Sequence, residues 1–118
     1  MALDLDPILD LPLTARTKGL PAAAEGLRLR EAGAQGWNLL DGSIPMPAAV
    51  IRSSVLTKNL TAFQAYIDQA GAKLAPHGKT SMCPQLFDRQ MQAGAWGMTV
   101  ATFSQANTAL DFGAVDRQ

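Results

Sequence analysis

The stretch "PAAVIRSSVLTKNLTAFQAYIDQAG" (residues 47–71) decides the fold, because it joins a short apolar run to an amphipathic helix. The run "AAVIR" is typical of a short buried strand. The residues after it predict a helix whose apolar face recurs at spacings of four, three and four: Leu56, Leu60, Phe63 and Ile67. We expect Ser53 or Ser54 to cap this helix and Gly71 to end it.

Two further units of the same kind follow. The second has "KLAPHGK" (residues 73–79) as its strand, and its helix begins with Pro84 at the first position and ends at Gly94. The third has "GMTVAT" (residues 97–102) as its strand, which is β-branched and apolar as buried parallel strands are. Its helix is expected to be capped by Ser104.

Three successive strand–helix units predict an α/β fold with a parallel sheet and right-handed crossovers. A closed (β/α)₈ barrel takes about 250 residues, and a doubly wound sheet also needs more strands, so both architectures remain open. We therefore interpret residues 44–118 as the front part of a larger domain and expect a truncated or fragmentary chain. Residues 1–43 are expected to form a helical lead-in, with a helix in residues 21–36 and one short strand at "WNLL" (residues 37–40).

Composition and charge exclude several classes of protein. The formal net charge is zero and the Lys and Arg residues are scattered, so neither nucleic acid nor a membrane surface is expected as a partner. The one cysteine, Cys83, excludes an intrachain disulfide and a multi-cysteine zinc site. The N-terminal stretch "MALDLDPILDLPL" (residues 1–13) is acidic and interrupted by prolines, unlike a secretory signal. We expect a cytoplasmic protein.

Lys79 is the candidate reactive residue. It ends the second predicted strand, and ligands of parallel α/β folds bind at the carboxyl ends of strands. A lysine there can react with an aldehyde, of which pyridoxal phosphate is the commonest in proteins. Position alone nevertheless favours a solvated lysine, and it favours a hydrogen-bonded structural role for His77, the only histidine of the chain.

Two motifs resemble those of a known family. Residues 76–80, "PHGKT", resemble the P-H-x-K-T signature that one branch of the fold-type III pyridoxal-phosphate enzymes, the alanine racemase N-terminal domain superfamily, has on its second barrel strand. Residues 90–102, "QMQAGAWGMTVAT", match the Q-x-x-A-G-A-x-G-x-x-V-A-T signature of its D-threonine aldolase and D-serine dehydratase branch, which includes amino acid deaminases. The segments "RTKGLP" (residues 16–21) and "GWNLL" (residues 36–40) are similar to deaminase lead-ins.

The resemblance implies a fold and a site. Residues 44–118 would be the first three βα units of an incomplete (β/α)₈ TIM-type barrel that binds pyridoxal phosphate. Lys79 would hold the cofactor as a Schiff base and exchange a proton at the substrate's Cα, and His77 would lie near the cofactor ring on the same side of the strand. Thr80 and Cys83 also match the motif, but backbone hydrogen bonding by Thr80 and weak helix capping by Cys83 are the simpler interpretations.

The resemblance also implies a function, that of the N-terminal part of a pyridoxal-phosphate-dependent deaminase or lyase. Its substrates would be small D- or 3-hydroxy-amino acids, and its full-length parent would be a homodimer. Relatives often read K-T-H-K where this chain has Lys79-Thr80-Ser81-Met82, so dehydratase and aldolase chemistry both remain open. The phosphate-binding residues and the ligands of any divalent metal would come from later parts of the full-length parent. The alternatives are a non-catalytic pyridoxal-phosphate-binding protein and an inert fragment.

Overall fold

A computed structural model describes residues 2–114, so the last four residues of the predicted 44–118 segment lie outside the described part. The chain divides into two compact units. The first is built from the described residues up to Leu5 and from Arg52 onward, and the second is Asp6–Ile51. The helices are α1 Asp6–Leu9, α2 Ser53–Gln69, α3 Pro84–Gln92 and α4 Phe103–Asp111, with short 3-10 turns at Ala22–Ala24, Leu29–Ala34 and Leu39–Asp41.

The three helices predicted for residues 47–113 are present as α2, α3 and α4. On α2 the side chains of Leu56, Leu60 and Ile67 are half-buried, as the periodicity predicts, but Phe63 is 54% exposed. Helix α2 ends just before Gly71, whose φ of 63° is a conformation that glycine adopts without strain. No residue of α2 is fully buried, so this helix lies on the surface of the first unit.

The predicted caps are partly wrong. Pro84 is confirmed at the first position of α3. Ser53 is already helical, and the residue before α2 is Arg52, which makes no capping hydrogen bond through its side chain. Helix α4 is capped by Thr102 instead of Ser104, because Thr102 has the extended backbone of a cap and its hydroxyl accepts the backbone N–H of Gln105 at 3.3 Å.

The three predicted strands are not confirmed, since none of these runs forms a strand within residues 2–114. In place of the predicted parallel pairing, the described residues contain one isolated parallel bridge, between His77 and Thr99. In that bridge the Thr99 N–H donates to the Pro76 carbonyl at 2.8 Å, and the Gly78 N–H donates to the Thr99 carbonyl at 2.7 Å. The expected βα units are therefore helices joined by extended segments with a single parallel contact.

Pro76 gives the physical reason why the bridge does not extend into a ladder. In the register of the His77–Thr99 bridge, the next bond toward the N-terminus would need an N–H at position 76 to donate to the Gly97 carbonyl. Proline has no N–H. The chain instead slips by one residue, and the Trp96 N–H donates to the Leu74 carbonyl at 2.7 Å.

The core of the first unit forms where α3 and α4 meet the N-terminal segment. Its fully buried members are Leu3, Phe87 and Ala109, and Phe87 is the most deeply buried at 1% exposure. Partly buried apolar residues pack around them: Leu5, Met82, Met91, Met98, Phe112 and Ala114. Backbone bonding also holds the N-terminal segment here, because the Asp4 N–H donates to the Phe112 carbonyl at 3.0 Å.

The second unit differs from the predicted helical lead-in. The expected helix of residues 21–36 is replaced by two 3-10 turns, separated at Gly26, whose φ is 87°. An antiparallel bridge joins Pro12 to Arg28, and Leu13 is buried beside it. The strand expected at "WNLL" is instead the 3-10 turn Leu39–Asp41. Across the part of the chain that the structure describes, no helix has the length and apolar character needed to cross a bilayer.

Candidate functional site

Lys79 lies in a closed five-residue turn directly after the His77–Thr99 bridge. The turn runs from Gly78 to Met82 and is closed by the Met82 N–H, which donates to the Gly78 carbonyl at 2.9 Å. The side chains at positions 77 and 79 are exposed, whereas Gly78 between them is buried. This alternation is what the extended segment predicts for His77 and Lys79.

Gly78 fixes the start of this turn by close contact with the core. A Cβ atom at this position would stand 2.7 Å from both Cε1 and Cζ of Phe87 and 3.3 Å from Cε of Met98. No side chain fits there without moving the Phe87 ring. Sequence reasoning missed this role of Gly78, although the glycine in "PHGKT" was visible as the residue with no side chain between two long ones.

Met82 fixes the end of the turn. Its φ is 42°, in the left-handed region that residues other than glycine seldom adopt. The conformation is held by the bond from its N–H to Gly78 and by its side chain, which packs against the core cluster. A strained residue kept in place by its surroundings is typical of functional loops, and here it lies three residues from Lys79.

His77 contacts the backbone of Lys79. Its Nδ1 accepts the Lys79 backbone N–H at 3.3 Å, a contact that assigns the proton of the neutral ring to Nε2. The structure thus brings the two predicted site residues together through the main chain. For the Lys79 ammonium itself, no hydrogen bond or ion pair is found among residues 2–114. The Schiff-base role of Lys79 and the cofactor role of His77 stay predictions.

Thr80 and Cys83 take no part in the hydrogen bond between Lys79 and His77. Thr80 is exposed on the turn. Cys83 occupies the cap position of α3, as expected, but its thiol donates to the Gln85 side-chain oxygen at 3.2 Å and does not cap a backbone N–H. Cys83 is a free, half-buried thiol.

Asp88 is a buried carboxylate that belongs to neither of the two sequence motifs. It is 8% exposed. Its Oδ1 accepts the backbone N–H of Leu3 at 2.8 Å, and its Oδ2 accepts the side-chain amide of Gln92 at 2.6 Å. Asp88 therefore joins α3 to a residue 85 positions earlier in the chain, a contact that no local pattern reveals.

Lys79 does not line either of two cavities in the first unit. One, of about 210 Å³, has Ala75, Met91, Met98 and Ala114 in its wall. A smaller one, of about 70 Å³, is lined by three residues of α2, by two at the end of α3 and by two of the segment before the bridge: Leu60, Phe63, Gln64, Gln90, Ala93, Leu74 and Pro76. Among the residues that the structure covers, no cluster of three or more His, Cys, Asp or Glu side chains is arranged to hold a metal ion.

Comparison with known proteins identifies relatives of part of the chain. No model of a known protein family matches it. A 74-residue stretch, 63% of the chain, is 35% identical to D-threo-3-hydroxyaspartate dehydratase of Delftia sp. (strain HT23) and spans 20% of that enzyme. A 63-residue stretch, 53% of the chain, is 33% identical to D-threonine aldolase of Arthrobacter sp. and spans 17% of it.

The chain is also similar to a solved structure. The metal-free form of a D-threo-3-hydroxyaspartate dehydratase mutant matches 61% of the chain at 36% identity with a TM-score of 0.58, over 19% of that enzyme. The chain thus spans about a fifth of the length of the relatives it matches. The resemblance to the D-threonine aldolase branch, inferred above from two motifs, is confirmed over this part of the chain. The (β/α)₈ barrel stays a prediction.

Proposed function

We propose that Lys79 binds pyridoxal phosphate covalently through Nζ and provides the reactive amine of a dehydratase or aldolase that acts on D- or 3-hydroxy-amino acids. The observation that supports this most is an exposed lysine in a "PHGKT" motif, on a turn fixed at both ends, in a chain related to two such enzymes. We further propose that the chain corresponds to the N-terminal part of such an enzyme.

The residues of the turn fit a covalently held aldehyde. Lys79 is exposed, and its ammonium has no carboxylate partner within the described residues that an aldehyde would have to displace. Gly78 and Met82 hold the backbone on both sides of it. When bound, pyridoxal phosphate supplies an electron sink for negative charge at the Cα of an amino acid. We propose a divalent metal only for the longer parent enzyme.

His77 and Lys79 would handle protons in this site. The Lys79 amine must be unprotonated to attack an aldehyde, and when it is not bonded to the cofactor the same amine is available to exchange a proton at the substrate's Cα. The His77 Nδ1 is occupied by the Lys79 backbone N–H, so Nε2 is the nitrogen left to donate a proton or a hydrogen bond. A histidine fixed in one tautomer by a backbone contact is suited to that task.

Dehydratase and aldolase chemistry both place negative charge on Cα, but they break different bonds to do so: a dehydratase first removes the Cα proton, and an aldolase removes the proton of the 3-hydroxyl group. A dehydratase expels the 3-hydroxyl group, whereas an aldolase breaks the bond between Cα and Cβ. The two relatives carry one of these names each. The substitution of Ser81 and Met82 for the basic pair of many relatives changes the residues next to the lysine, and we propose that residues elsewhere in the parent enzyme select the reaction.

Titration with pyridoxal phosphate tests the proposal. The purified chain is mixed with the cofactor, and the absorbance of the lysine adduct is followed before and after borohydride reduction. We expect Lys79→Ala to abolish the reducible adduct. Lys73→Ala is the matched control, because Lys73 lies in the same extended segment with its Nζ 5.4 Å from the centre of the Trp96 ring. If the wild-type chain forms no adduct that depends on Lys79, the proposal fails for this chain and an inert fragment is the better description.

A further inference from the structure

The carboxylate of Asp88 occupies an unusual place for a charged group. It is almost fully buried on α3, and both of its oxygens are used: Oδ1 accepts the N–H of Leu3, and Oδ2 accepts the amide of Gln92. Burying a carboxylate is unfavourable unless donors compensate for lost water. An apolar residue in place of Asp88 would leave the Leu3 N–H and the Gln92 amide without this acceptor. The role of the carboxylate is therefore to be found in the groups that it holds.

What it holds is the N-terminal segment, residues 2–5. Leu3 donates its N–H to Asp88 and buries its side chain in the cluster that contains Phe87. The next residue in the chain, Asp4, donates its N–H to the Phe112 carbonyl at the end of α4. The segment thus closes the core on the side of α3 that carries Phe87 and Asp88.

Phe87 connects the packing of the N-terminal segment to the turn of Lys79 by direct contact. Its ring lies so close to Gly78 that a Cβ there would overlap it. Gly78 in turn precedes Lys79, and its carbonyl accepts the Met82 N–H that closes the turn. A displacement of Phe87 therefore changes the position of Gly78 and, with it, the geometry of the turn.

We propose that Asp88 is a positioning residue for Lys79: by binding the Leu3 N–H it keeps the N-terminal segment packed on α3 and so keeps Phe87 against Gly78. The inference rests on the proposed function only in taking Lys79 as the reactive amine. The coupling itself is a property of the polypeptide and is measurable without any cofactor.

Amide hydrogen exchange of the full chain, followed by NMR, measures this coupling. In Asp88→Ala we expect the Leu3 amide, which loses its acceptor, to exchange about tenfold faster or more. We expect the Met82 amide, which closes the Lys79 turn, to exchange faster as well. The Leu56 amide, which donates to the Arg52 carbonyl at the start of α2 at 2.9 Å, lies outside the proposed chain of contacts and should not change.

Asp68→Ala is the matched control. Asp68 accepts a side-chain amide from Gln64 four residues earlier at 2.8 Å, just as Asp88 accepts one from Gln92 four residues later. Asp68 is exposed, and among residues 2–114 the one hydrogen-bond partner of its carboxylate is Gln64. We expect its removal to leave the Leu3 and Met82 amides as they are in the wild-type chain.

The outcomes separate positioning from simple tethering. Faster exchange at Leu3 with unchanged exchange at Met82 would overturn the proposal, because Asp88 would then hold the segment without affecting the turn. If Asp88→Ala accelerates all three amides equally, Asp88→Asn decides, since its side-chain oxygen can still accept the Leu3 N–H. There we expect a smaller acceleration of Leu3 and Met82 together with no change at Leu56. Equal acceleration of all three amides in that variant also overturns the proposal.

Cofactor binding is measured separately from amide exchange. If the exchange results agree with the proposal but no Lys79-dependent adduct forms with pyridoxal phosphate, the positioning inference stands and the proposed function fails. If the adduct forms and the Met82 amide does not respond to Asp88, the reverse holds.

Discussion

Gly78 and Phe87 are in such close contact that any side chain at position 78 would overlap the phenyl ring: a Cβ atom would stand 2.7 Å from two of its carbons. This contact joins the most deeply buried side chain of the first unit to the residue that precedes Lys79. The candidate reactive lysine is thus attached to the core through a glycine, and the core determines where its turn begins.

Gly78→Ala should therefore destabilise the chain. The added methyl group forces the Phe87 ring to move, and overpacking of this kind costs about 1–3 kcal/mol. Urea denaturation gives the change in the free energy of unfolding. Gly97→Ala is the control, because a Cβ at Gly97 meets no atom within 4 Å, and we expect that variant to be neutral or slightly stabilising. Equal effects of the two substitutions would contradict the contact.

A smaller residue at position 87 should relieve the clash. In the Gly78→Ala background, Phe87→Leu makes room for the methyl group, whereas in the wild-type background it leaves a cavity and destabilises the fold. We expect the double variant to be more stable than the sum of the two single effects predicts, by about 0.5–3 kcal/mol. A double-mutant cycle measures this coupling, and strictly additive effects would refute it.

The cap of α4 offers a direct comparison between two hydroxyl residues. Because the Thr102 hydroxyl accepts the Gln105 N–H, Thr102→Ala should lower the free energy of unfolding by about 1 kcal/mol. Ser104 lies inside the first turn of the helix, so Ser104→Ala should change stability by a few tenths of a kcal/mol at most. The opposite ranking would show that the helix begins at Ser104, as the sequence analysis expected.

The helices of residues 47–113 could be predicted because their signals are local. Leu56, Leu60 and Ile67 repeat with the period of a helix, and Gly71 marks its end. The cap at Thr102 was also within reach, since "TFSQ" (residues 102–105) has the spacing of a capping box. Only half of that box forms, because the Gln105 side chain accepts the N–H of Ala101, the residue before the cap, at 2.9 Å.

The strands could not be predicted with the same success, because a strand depends on its partner. The apolar run at residues 48–52 has the composition of a strand, yet Val50 and Ile51 are exposed. In the run at residues 73–79, Pro76 removes one N–H that a longer parallel ladder would require. Local composition predicted a strand in both runs, but it carried no information on which hydrogen bonds would form.

The candidate site was predictable only in part. "PHGKT" identified His77 and Lys79 through a resemblance, and the structure brings them together through a backbone contact. The residues that hold the turn were missed, since Phe87 and Asp88 come from α3 and Leu3 from the start of the chain. Contacts across such sequence distances have no local signature.

Acid should weaken the ion-pair cluster that Asp6, Asp10, Arg28 and Arg30 form in the second unit. The Arg30 guanidinium, hydrogen-bonded to Asp10 at 2.7 Å, lowers the pKa of that carboxyl below its ordinary value of 3.8, and Arg28 adds to the effect. A lowered pKa means that the stabilisation is fully present above the ordinary value and is lost as the pH falls through the folded-state value. All of these groups are exposed, so we expect a small, salt-sensitive effect.

The titration of Asp10 measures this cluster. We expect its carboxyl carbon resonance, followed by NMR, to have a midpoint below pH 3.8 in the wild-type chain. Arg30→Gln should raise that midpoint toward the ordinary value. Arg16→Gln is a suitable control, because Arg16 forms no ion pair with the cluster. An Asp10 midpoint that is the same in all three proteins would contradict the pairing.

Peptide mapping after borohydride reduction tests the central claim most directly. The chain is incubated with pyridoxal phosphate, reduced and digested, and the modified lysine is located by mass spectrometry among the four that the sequence contains, Lys18, Lys58, Lys73 and Lys79. We predict that at low cofactor concentration the label resides on Lys79. Label spread evenly over all four lysines, or placed on the others in preference to Lys79, would contradict the proposal that this turn holds the cofactor.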